Sequence, residues 1–264
     1  MLRLLFLLSA MLSVSAFRGL GLTRFTAKRF AVTSTAIGER GTKDYRISFT
    51  DNGKNISPWH DIPLRNGDHF NIVIEIPKNT KAKLEISTKT ESNPIKQDIK
   101  DGKLRDYHGP IYWNYGAFPQ TWEDPNVLHP EVGFKGDNDP LDLVEIGSTV
   151  LEAGSVHKAK VLGVLAMIDD GELDWKVITV RTEDPLAAVL NDVPDIEKHM
   201  PGTISGLREW FRWYKTPDNK PLNKFGYKEA ALSRKAALEV IEETHHYWKD
   251  LRAGKTKADK LWVK

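Results

Sequence analysis

Cysteine is absent from this 264-residue chain, which excludes disulfide bonds and thiolate chemistry. Its eight histidines are scattered, and no two of them have the spacing of a zinc motif. The apolar run at residues 4–12 is too short to span a membrane. Internal repeats, low-complexity tracts and linkers are also missing. With 40% hydrophobic and 28% charged residues, the composition predicts one globular domain with a substantial core.

Acidic residues are missing from the first 38 positions, which carry five basic side chains. The first acidic residue is Glu39. Residues 39–264, which we call the body, contain 33 basic and 36 acidic side chains. The body therefore has a net charge of −3, although the whole chain has +2. A nucleic-acid-binding body is expected to be basic. We therefore predict no nucleic-acid partner.

Residues 1–38 have the features of a targeting presequence. Arg3, the apolar run at 4–12 and the small residues before Phe17 match a secretory signal of about residues 1–16. Residues 17–38 are basic and bear Ser and Thr, as organellar transit peptides do. The two segments together resemble the bipartite presequence of algae with complex plastids, such as diatoms. This resemblance predicts a plastid (chloroplast) location, with the mitochondrion or the secretory pathway as alternatives, and no stable membrane association after processing. The functional domain is then 39–264.

Segments with β character predominate in the first part of this domain, and segments with helical character follow. Alternation and β-branched runs predict strands at 45–49, 70–76, 83–86, 149–151, 158–168 and 174–180. Turns are predicted at 51–53 and 169–173, and residues 99–130 read as mostly loop. A short helix is predicted after Asp184-Pro185, and longer ones at 203–214 and 227–253, the last capped by Gly254. Strands first and helices last predict an α+β domain.

Three carboxylates stand within six residues, at Asp137, Asp139 and Asp142. Carboxylates this close repel one another and resist burial without cations, so they form either a solvated loop or a cluster of ligands for hard cations. A solvated loop is the commoner case, but Pro140 stiffens the turn and its apolar flanks can anchor it beside a core. An EF-hand is excluded because its sixth and twelfth positions would be Asp142 and Ser148 instead of Gly and Glu.

Further charged side chains share strand faces. Asp174 and Lys176 project to one side of a predicted strand, beside the turn that carries Asp169. Lys83 and Glu85 also share a face, although a half-exposed strand explains that pair equally well. Carboxylates suit Mg²⁺, and interspersed Arg, Lys and Tyr donors suit phosphate oxygens. The pattern indicates metal-assisted phosphoryl transfer to water, with a cation-binding structural domain as the alternative.

Two motifs then point to a family. Residues 136–142 (GDNDPLD) resemble the signature of family I soluble inorganic pyrophosphatases, and residues 114–125 (NYGAFPQTWEDP) resemble its eukaryotic branch. The match extends over about residues 44–254 with further motifs in order. The resemblance implies an OB-like five-stranded β-barrel core with flanking strands and C-terminal helices. It also implies hydrolysis of pyrophosphate to two phosphates, with several Mg²⁺ ions and a metal-bridged hydroxide.

The resemblance assigns roles by position. The implied Mg²⁺ ligands are Asp137, Asp142, Asp174, Asp169 and, through water, Glu85. Asp139 is implied to accept the proton of the nucleophilic water. The implied contacts to the phosphates of substrate and product are Lys83, Arg105, Tyr115, Lys176, Tyr214 and Lys215, and Glu75 matches a supporting position.

The chain departs from the family pattern at one catalytic position. Family members usually have a Tyr four residues before the Tyr of Asn-Tyr-Gly, described as the acid for the leaving group, and here Ile111 stands there. The nearest hydroxyl belongs to Tyr112, which is predicted to substitute after a register change of one residue. Lys176 and Lys83 are the alternative donors.

Other classes of function are less well supported by the sequence. An inactive scaffold homologue should have lost acidic ligands, and all five Asp are present. An oligonucleotide-binding barrel is opposed by the negative charge of the body. A phosphatase for sugar or nucleotide phosphates is the closest alternative. The family's dimer-contact aromatics are replaced by Lys78 and Asn79, so both a homodimer and a monomer are compatible with the sequence.

Overall fold

The structure, a computed structural model, describes residues 32–264, and over these residues most elements are strands. The strands are β1 Val32–Ile37, β2 Arg46–Asp51, β3 Lys54–Ile56, β4 Arg65–Asn66, β5 His69–Ile76, β6 Thr80–Ala82, β7 Leu84–Ile86, β8 Ile95–Gln97, β9 Ile99–Lys100, β10 Lys103–Leu104, β11 Asp106–Ile111, β12 Asn114–Ala117, β13 Asp142–Glu145, β14 Val156–Asp169, β15 Glu172–Arg181, β16 Lys224–Phe225 and β17 Leu232–Ser233. The helices are α1 Val193–His199, α2 Thr203–Trp213 and α3 Arg234–Arg252, with 3₁₀ turns at Pro185–Ala188, Thr216–Asp218 and Tyr227–Glu229.

Five strands close into a barrel in the order β5, β12, β13, β15, β14. Only β13 and β15 run parallel, and the other neighbours are antiparallel. The 14-residue strand β14 closes the ring because its first residues pair with β5 and the rest pair with β15. A register shift between Val161 and Gly163 bends β14 where it changes partner. The predicted OB-like α+β fold is confirmed.

The barrel wall is apolar on both faces, and strand β15 illustrates how this positions polar groups. Leu173, Trp175 and Val177 face one hydrophobic cluster, while Ile178 and Val180 face the other. Asp174 and Lys176 share the face of Ile178 but lie at the beginning of the strand. The alternation therefore places two buried charged groups at one end of a barrel strand.

Close packing between β12 and β5 requires a glycine at position 116. A Cβ there would lie 1.9 Å from the carbonyl oxygen of Val73, so no other residue fits without moving a strand. This contact fixes the start of β12, where Tyr115 lies.

A second sheet has the order β1-β2-β8-β7, with β3 also paired to β2. Strand β1 pairs along its whole length with β2, from Val32 opposite Asp51 to Ile37 opposite Arg46. Residues 32–37 therefore belong to the folded domain, although the sequence assigned them to the presequence. Residues 1–31 of the predicted presequence lie outside the described residues.

The helical part differs from the sequence prediction in two places. Helix α1 was not predicted; it begins with a capping box between Asp192 and Asp195. Helix α3 begins at Arg234 and not at 227, because residues 227–229 have φ values of +52° to +66° and residues 232–233 pair with β14. Helix α2 and the Gly254 cap, with φ +69°, agree with the prediction.

One strand prediction and one loop prediction were wrong. Residues 149–151 form no strand, and their backbone is instead held by Asn114, which donates to the carbonyl of Thr149 at 2.9 Å. The segment 99–130, read as mostly loop, contains strands β9 to β12 in its first half. Over residues 32–264, no helix is long and apolar enough to cross a membrane.

A buried histidine ties the C-terminal segment to the domain. His60, 3% exposed, accepts a hydrogen bond at its Nδ1 from the Trp248 indole (2.9 Å), and its Nε2 lies 3.0 Å from the carbonyl of Trp262. Since Nδ1 accepts, Nε2 carries the proton and donates to that carbonyl, so the ring is neutral. Burial lowers the pKa of His60 to about 4.

This lowered pKa predicts acid-dependent stability. The unfolded chain takes up the His60 proton below about pH 6.5 and the folded chain only near pH 4, so stability is lost as the pH falls between these values. The shift of the His60 pKa corresponds to about 3 kcal/mol of unfolding free energy. Urea unfolding at pH 7 and pH 4 should show this loss in the wild type and in His246→Gln, whose ring is exposed. An equal loss in His60→Gln would contradict the assignment.

Candidate active site

A cavity of about 200 Å³ opens at the end of the barrel where β15 begins. Its walls come from β5, β7, β11, β12, the loop before β13, the β14–β15 hairpin and the end of α2. Its polar lining consists of Glu75, Lys83, Glu85, Arg105, Tyr107, Tyr115, Asp137, Asp139, Asp142, Asp169, Glu172, Asp174, Lys176, Tyr214 and Lys215. Every predicted site residue except Tyr112 is therefore brought into one cavity.

The acidic loop at 137–139 is held in place by the backbone of Glu123. The amide of Asn138 donates to the Glu123 carbonyl and the amide of Glu123 donates to the Asp139 carbonyl, both at 2.9 Å. Asn138 has φ +73°, a left-handed conformation that Asn tolerates, and its side chain accepts from the Trp122 indole at 3.1 Å. The amide of Asp139 donates to Asp137 Oδ1 at 3.0 Å. These bonds fix the position of the acidic loop and the direction of the Asp137 carboxylate.

Gly136 allows this close approach. A Cβ at Gly136 would lie 2.5 Å from the backbone carbonyl carbon of Glu123, so Gly136→Ala must displace the acidic loop. We expect a loss of about 10²-fold in activity, because misplacement by about 1 Å is enough for such a loss. Gly206→Ala is the matched control, since its added Cβ would make only ordinary contact with Trp113. Steady-state rates near wild type for both variants would contradict the expectation.

Lys176 is the charged centre of the cavity floor. The parallel register of β13 and β15 sets Asp142 opposite Lys176. Lys176 Nζ lies 2.6 Å from Asp142 Oδ2 and 2.8 Å from the Tyr115 hydroxyl, and it also contacts Asp174. Burial alone would lower the pKa of Lys176, but the Asp142 and Asp174 carboxylates outweigh it and raise this pKa well above its usual value. Lys176 is therefore a permanent cation under two carboxylates.

The carboxylates of the cavity carry more negative charge than Lys176 neutralises. Desolvation inside the cavity, followed by the charges of Glu85 and Asp142, raises the pKa of Asp139, although its side chain remains partly accessible to solvent. Burial also raises the pKa of Asp174 to about 7, against the attraction of Lys176. The pKa of Asp137 is raised by burial and then by its Asp neighbours. This cluster offers carboxylate oxygens and no sulfur or nitrogen ligand. Such a set of ligands fits Mg²⁺.

Cationic and hydroxyl groups also line the cavity and pair with its carboxylates. Tyr214 donates to Asp169 Oδ2 at 2.9 Å, and Lys215 forms an ion pair with the same carboxylate. Asp98, which the sequence analysis missed, holds both Lys83 (3.2 Å) and Arg105 (2.5 Å). Such fixed donors suit the oxygens of a phosphate.

Glu75 and Glu85 also belong to the cavity lining. Lys83 Nζ lies 2.7 Å from Glu85 Oε2. Glu75 is buried beneath them and accepts from the amide of Ile86 at 2.6 Å. Burial, and then the charge of Asp142, raises the pKa of Glu75 well above its usual value. Glu75 thus fixes strand β7, from which Glu85 projects into the cavity.

Tyr112 does not reach the cavity. Its side chain is 56% exposed and packs edge-on against Trp113, so the prediction that it takes the place of the family tyrosine is wrong. Tyr107 lines the cavity instead; it is 8% exposed, with its ring 5.0 Å from Trp210 and 5.8 Å from Tyr214. Burial raises the pKa of Tyr107. No sequence pattern distinguished Tyr107, because β11 is irregular between Asp106 and Ile111 and does not keep a two-residue alternation.

Comparison with known proteins identifies relatives of this chain. The family model described as inorganic pyrophosphatase matches residues 72–249. The inorganic pyrophosphatase of Eremothecium gossypii is 53% identical, over 86% of this chain and 82% of that protein. The soluble inorganic pyrophosphatase 1, chloroplastic, of Chlamydomonas reinhardtii is 52% identical, over 84% and 81%.

Solved structures agree with the sequence relatives. The type I inorganic pyrophosphatase of Toxoplasma gondii superposes with a TM-score of 0.81 at 50% identity, over 83% of this chain and 99% of that one. An N-terminally truncated vacuolar soluble pyrophosphatase of Trypanosoma cruzi, solved in complex with PPi, has a TM-score of 0.83 at 41% identity, over 92% and 100%. The cavity and these matches together assign the chain to the family I soluble inorganic pyrophosphatases.

Proposed function

We propose that this protein hydrolyses inorganic pyrophosphate to two phosphates with Mg²⁺ as its cofactor. The observation that carries the proposal is the lining of the cavity, in which crowded carboxylates are interspersed with Lys, Arg and Tyr donors. Membership of the pyrophosphatase family supports the same reaction.

The carboxylates of the cavity would hold the cations. Asp137, Asp142 and Asp174 would supply carboxylate oxygens at the cavity floor, Asp169 would supply one at the hairpin, and Glu85 would act through a water. Bound Mg²⁺ would lower the pKa of water toward neutrality and offset the charge of the substrate. Lys176 limits the repulsion among these carboxylates before cations bind.

Asp139 would act as the general base. It lines the cavity on the loop that Glu123 holds, beside the Asp137 and Asp142 carboxylates. It accepts the proton of the attacking water as the new P–O bond forms, and the bond from phosphorus to the bridging oxygen breaks. A positioned base of this kind contributes about 10²- to 10⁴-fold to a rate.

The Lys, Arg and Tyr donors of the cavity would bind the two phosphates. Lys83 and Arg105 are oriented by Asp98, and Tyr214 and Lys215 by Asp169, so all four are held before substrate arrives. Tyr115 and Lys176 complete the floor. Lys and Arg neutralise the charge that develops on the leaving phosphate, while Tyr hydroxyls orient its oxygens.

Tyr107 is the better candidate than Tyr112 for the hydroxyl that serves the leaving phosphate. We expect Tyr107→Phe to lower kcat by about tenfold or more, because it removes a cavity hydroxyl without removing the packed ring. Tyr112→Phe is the matched control and should retain the wild-type rate, since its ring is exposed. Equal rates for the two variants would leave Lys83 or Lys176 as the donor.

A plastid location is also proposed. Relatives from Chlamydomonas reinhardtii and Arabidopsis thaliana are named chloroplastic, which supports it. Because β1 is part of the second sheet, we propose that processing leaves Val32 in the mature chain. N-terminal sequencing of the protein recovered from plastids should find a start at or before Val32, and a start after Ile37 would contradict this boundary.

A substrate panel tests the reaction. Pyrophosphate, glucose 6-phosphate and ATP are compared for phosphate release at saturating Mg²⁺. Pyrophosphate should be preferred by about 10²-fold or more, because most of the side chains that line the cavity are charged or carry a hydroxyl and match phosphate oxygens instead of a sugar or base. Faster release from the sugar phosphate would favour a phosphomonoesterase, and no release from any substrate would favour the scaffold interpretation.

A further inference from the structure

One carboxylate near the cavity has no role in the account above. Glu123 is 3% exposed, and its Oε1 accepts a hydrogen bond from the backbone amide of Trp175 at 3.0 Å. Its Oε2 is buried without any hydrogen-bond partner, one of two such side-chain atoms among residues 32–264. A buried carboxylate oxygen without a partner is costly, so this atom is expected to bind a ligand or to carry a proton.

The surroundings of Glu123 indicate the chemical class of that ligand. One carboxylate oxygen each of Glu123, Asp137 and Asp174 lie within 4.8 Å of one another. Three negative groups at this separation, two of them on cavity-lining aspartates, favour a hard divalent cation over any other small ligand.

The position of Glu123 is fixed by the same elements that carry the two aspartates. Its backbone forms two hydrogen bonds with the 137–139 loop, and its side chain is bonded to strand β15 beside Asp174. A preformed cluster of this kind binds a cation without the cost of ordering its ligands.

We propose that Glu123 is a further cation-site residue, whose carboxylate completes a divalent-cation site with Asp137 and Asp174. The inference rests on the proposed function in that the site is part of the same Mg²⁺ cluster. The proposal gives Glu123 a role in setting the cation affinity. From the sequence, cation binding was assigned only to the aspartates and Glu85.

Calorimetric titration of the full chain with MgCl₂ tests this assignment. Glu123→Gln keeps an acceptor for the Trp175 amide but loses the charge, and it should weaken the tightest Mg²⁺ site by about tenfold or more. Glu243→Gln removes a carboxylate that lines a small cavity beside Glu123 but lies outside the cluster, and this variant should bind Mg²⁺ as the wild type does. Unchanged affinity in Glu123→Gln would overturn the assignment and leave Glu123 as a protonated, purely structural group.

Two further measurements separate the possible failures. Crystals soaked in MnCl₂ should show a metal ion within about 2.3 Å of a Glu123 oxygen; an ion bound to Asp137 and Asp174 alone would overturn the proposal even if Glu123→Gln fails to fold. Wild-type protein that binds Mg²⁺ and hydrolyses pyrophosphate, with unaltered binding in the variant, refutes only this inference. Wild-type protein that does neither refutes the proposed function as well.

Discussion

Replacing Asp139 with Asn is expected to lower kcat for pyrophosphate by about 10²- to 10⁴-fold while Mg²⁺ binding is retained. Asn has the shape of Asp but cannot accept the proton from water. The backbone amide and carbonyl of Asp139 make the bonds that hold its loop, and these do not depend on the side chain. The loss should therefore come from the chemical step and not from folding.

Single-turnover phosphate release measures this step directly, and calorimetry with MgCl₂ measures cation binding in the same variant. Asp250→Asn is the control, because Asp250 lies on helix α3 outside the cavity lining and pairs with Lys255. A rate for Asp139→Asn within about threefold of wild type would exclude Asp139 as the base.

Replacing Lys176 with Met has the second large expected effect, on stability as well as on activity. Lys176 is 2% exposed and forms ion pairs with Asp142 and Asp174. Removing one partner of a buried ion pair typically costs about 3–5 kcal/mol, because the remaining charges are left uncompensated. Without Mg²⁺, we expect a loss of this size in the free energy of unfolding.

Mg²⁺ should reduce that loss, since cations at Asp142 and Asp174 neutralise the same carboxylates. Denaturant unfolding with and without MgCl₂ therefore distinguishes an electrostatic role from simple packing. Lys235→Met, at a side chain that is 87% exposed, should change stability little under either condition. A destabilisation of Lys176→Met that is the same with and without Mg²⁺ would contradict the electrostatic account.

The parts of the site that follow local periodicity could be predicted from the sequence. Asp174 and Lys176 share a face because β15 alternates, and they meet Asp142 because β13 lies beside β15. The apolar flanks of the acidic loop correctly indicated that it is anchored to a core. The positions carried over from the family motifs also fall in one cavity, with the exception of Tyr112.

Other features depend on contacts between distant segments and left no local pattern. Glu123 lies in a stretch without periodicity, and its significance comes only from the packing of Gly136 and Trp175 against it. Asp98 gains its role because two separate segments of the chain bring Lys83 and Arg105 to it. Helix α1 is short, and a cap alone did not distinguish it from a turn.

Strand β1 was misassigned for a different reason. Its residues are mostly exposed, so no alternation of apolar and polar side chains distinguishes it from the preceding basic segment. Its strand conformation comes from backbone pairing with β2, which composition cannot reveal. The boundary of the folded domain therefore had to come from the structure.

The most direct test of the account is the Mg²⁺ dependence of phosphate release from pyrophosphate by the purified protein. We predict rapid release with Mg²⁺, loss of release on chelation, recovery when Mg²⁺ is restored, and inhibition by Ca²⁺, whose larger and looser coordination misplaces the reacting groups. Release that persists in chelator, or a folded protein that releases no phosphate with Mg²⁺, would contradict the account.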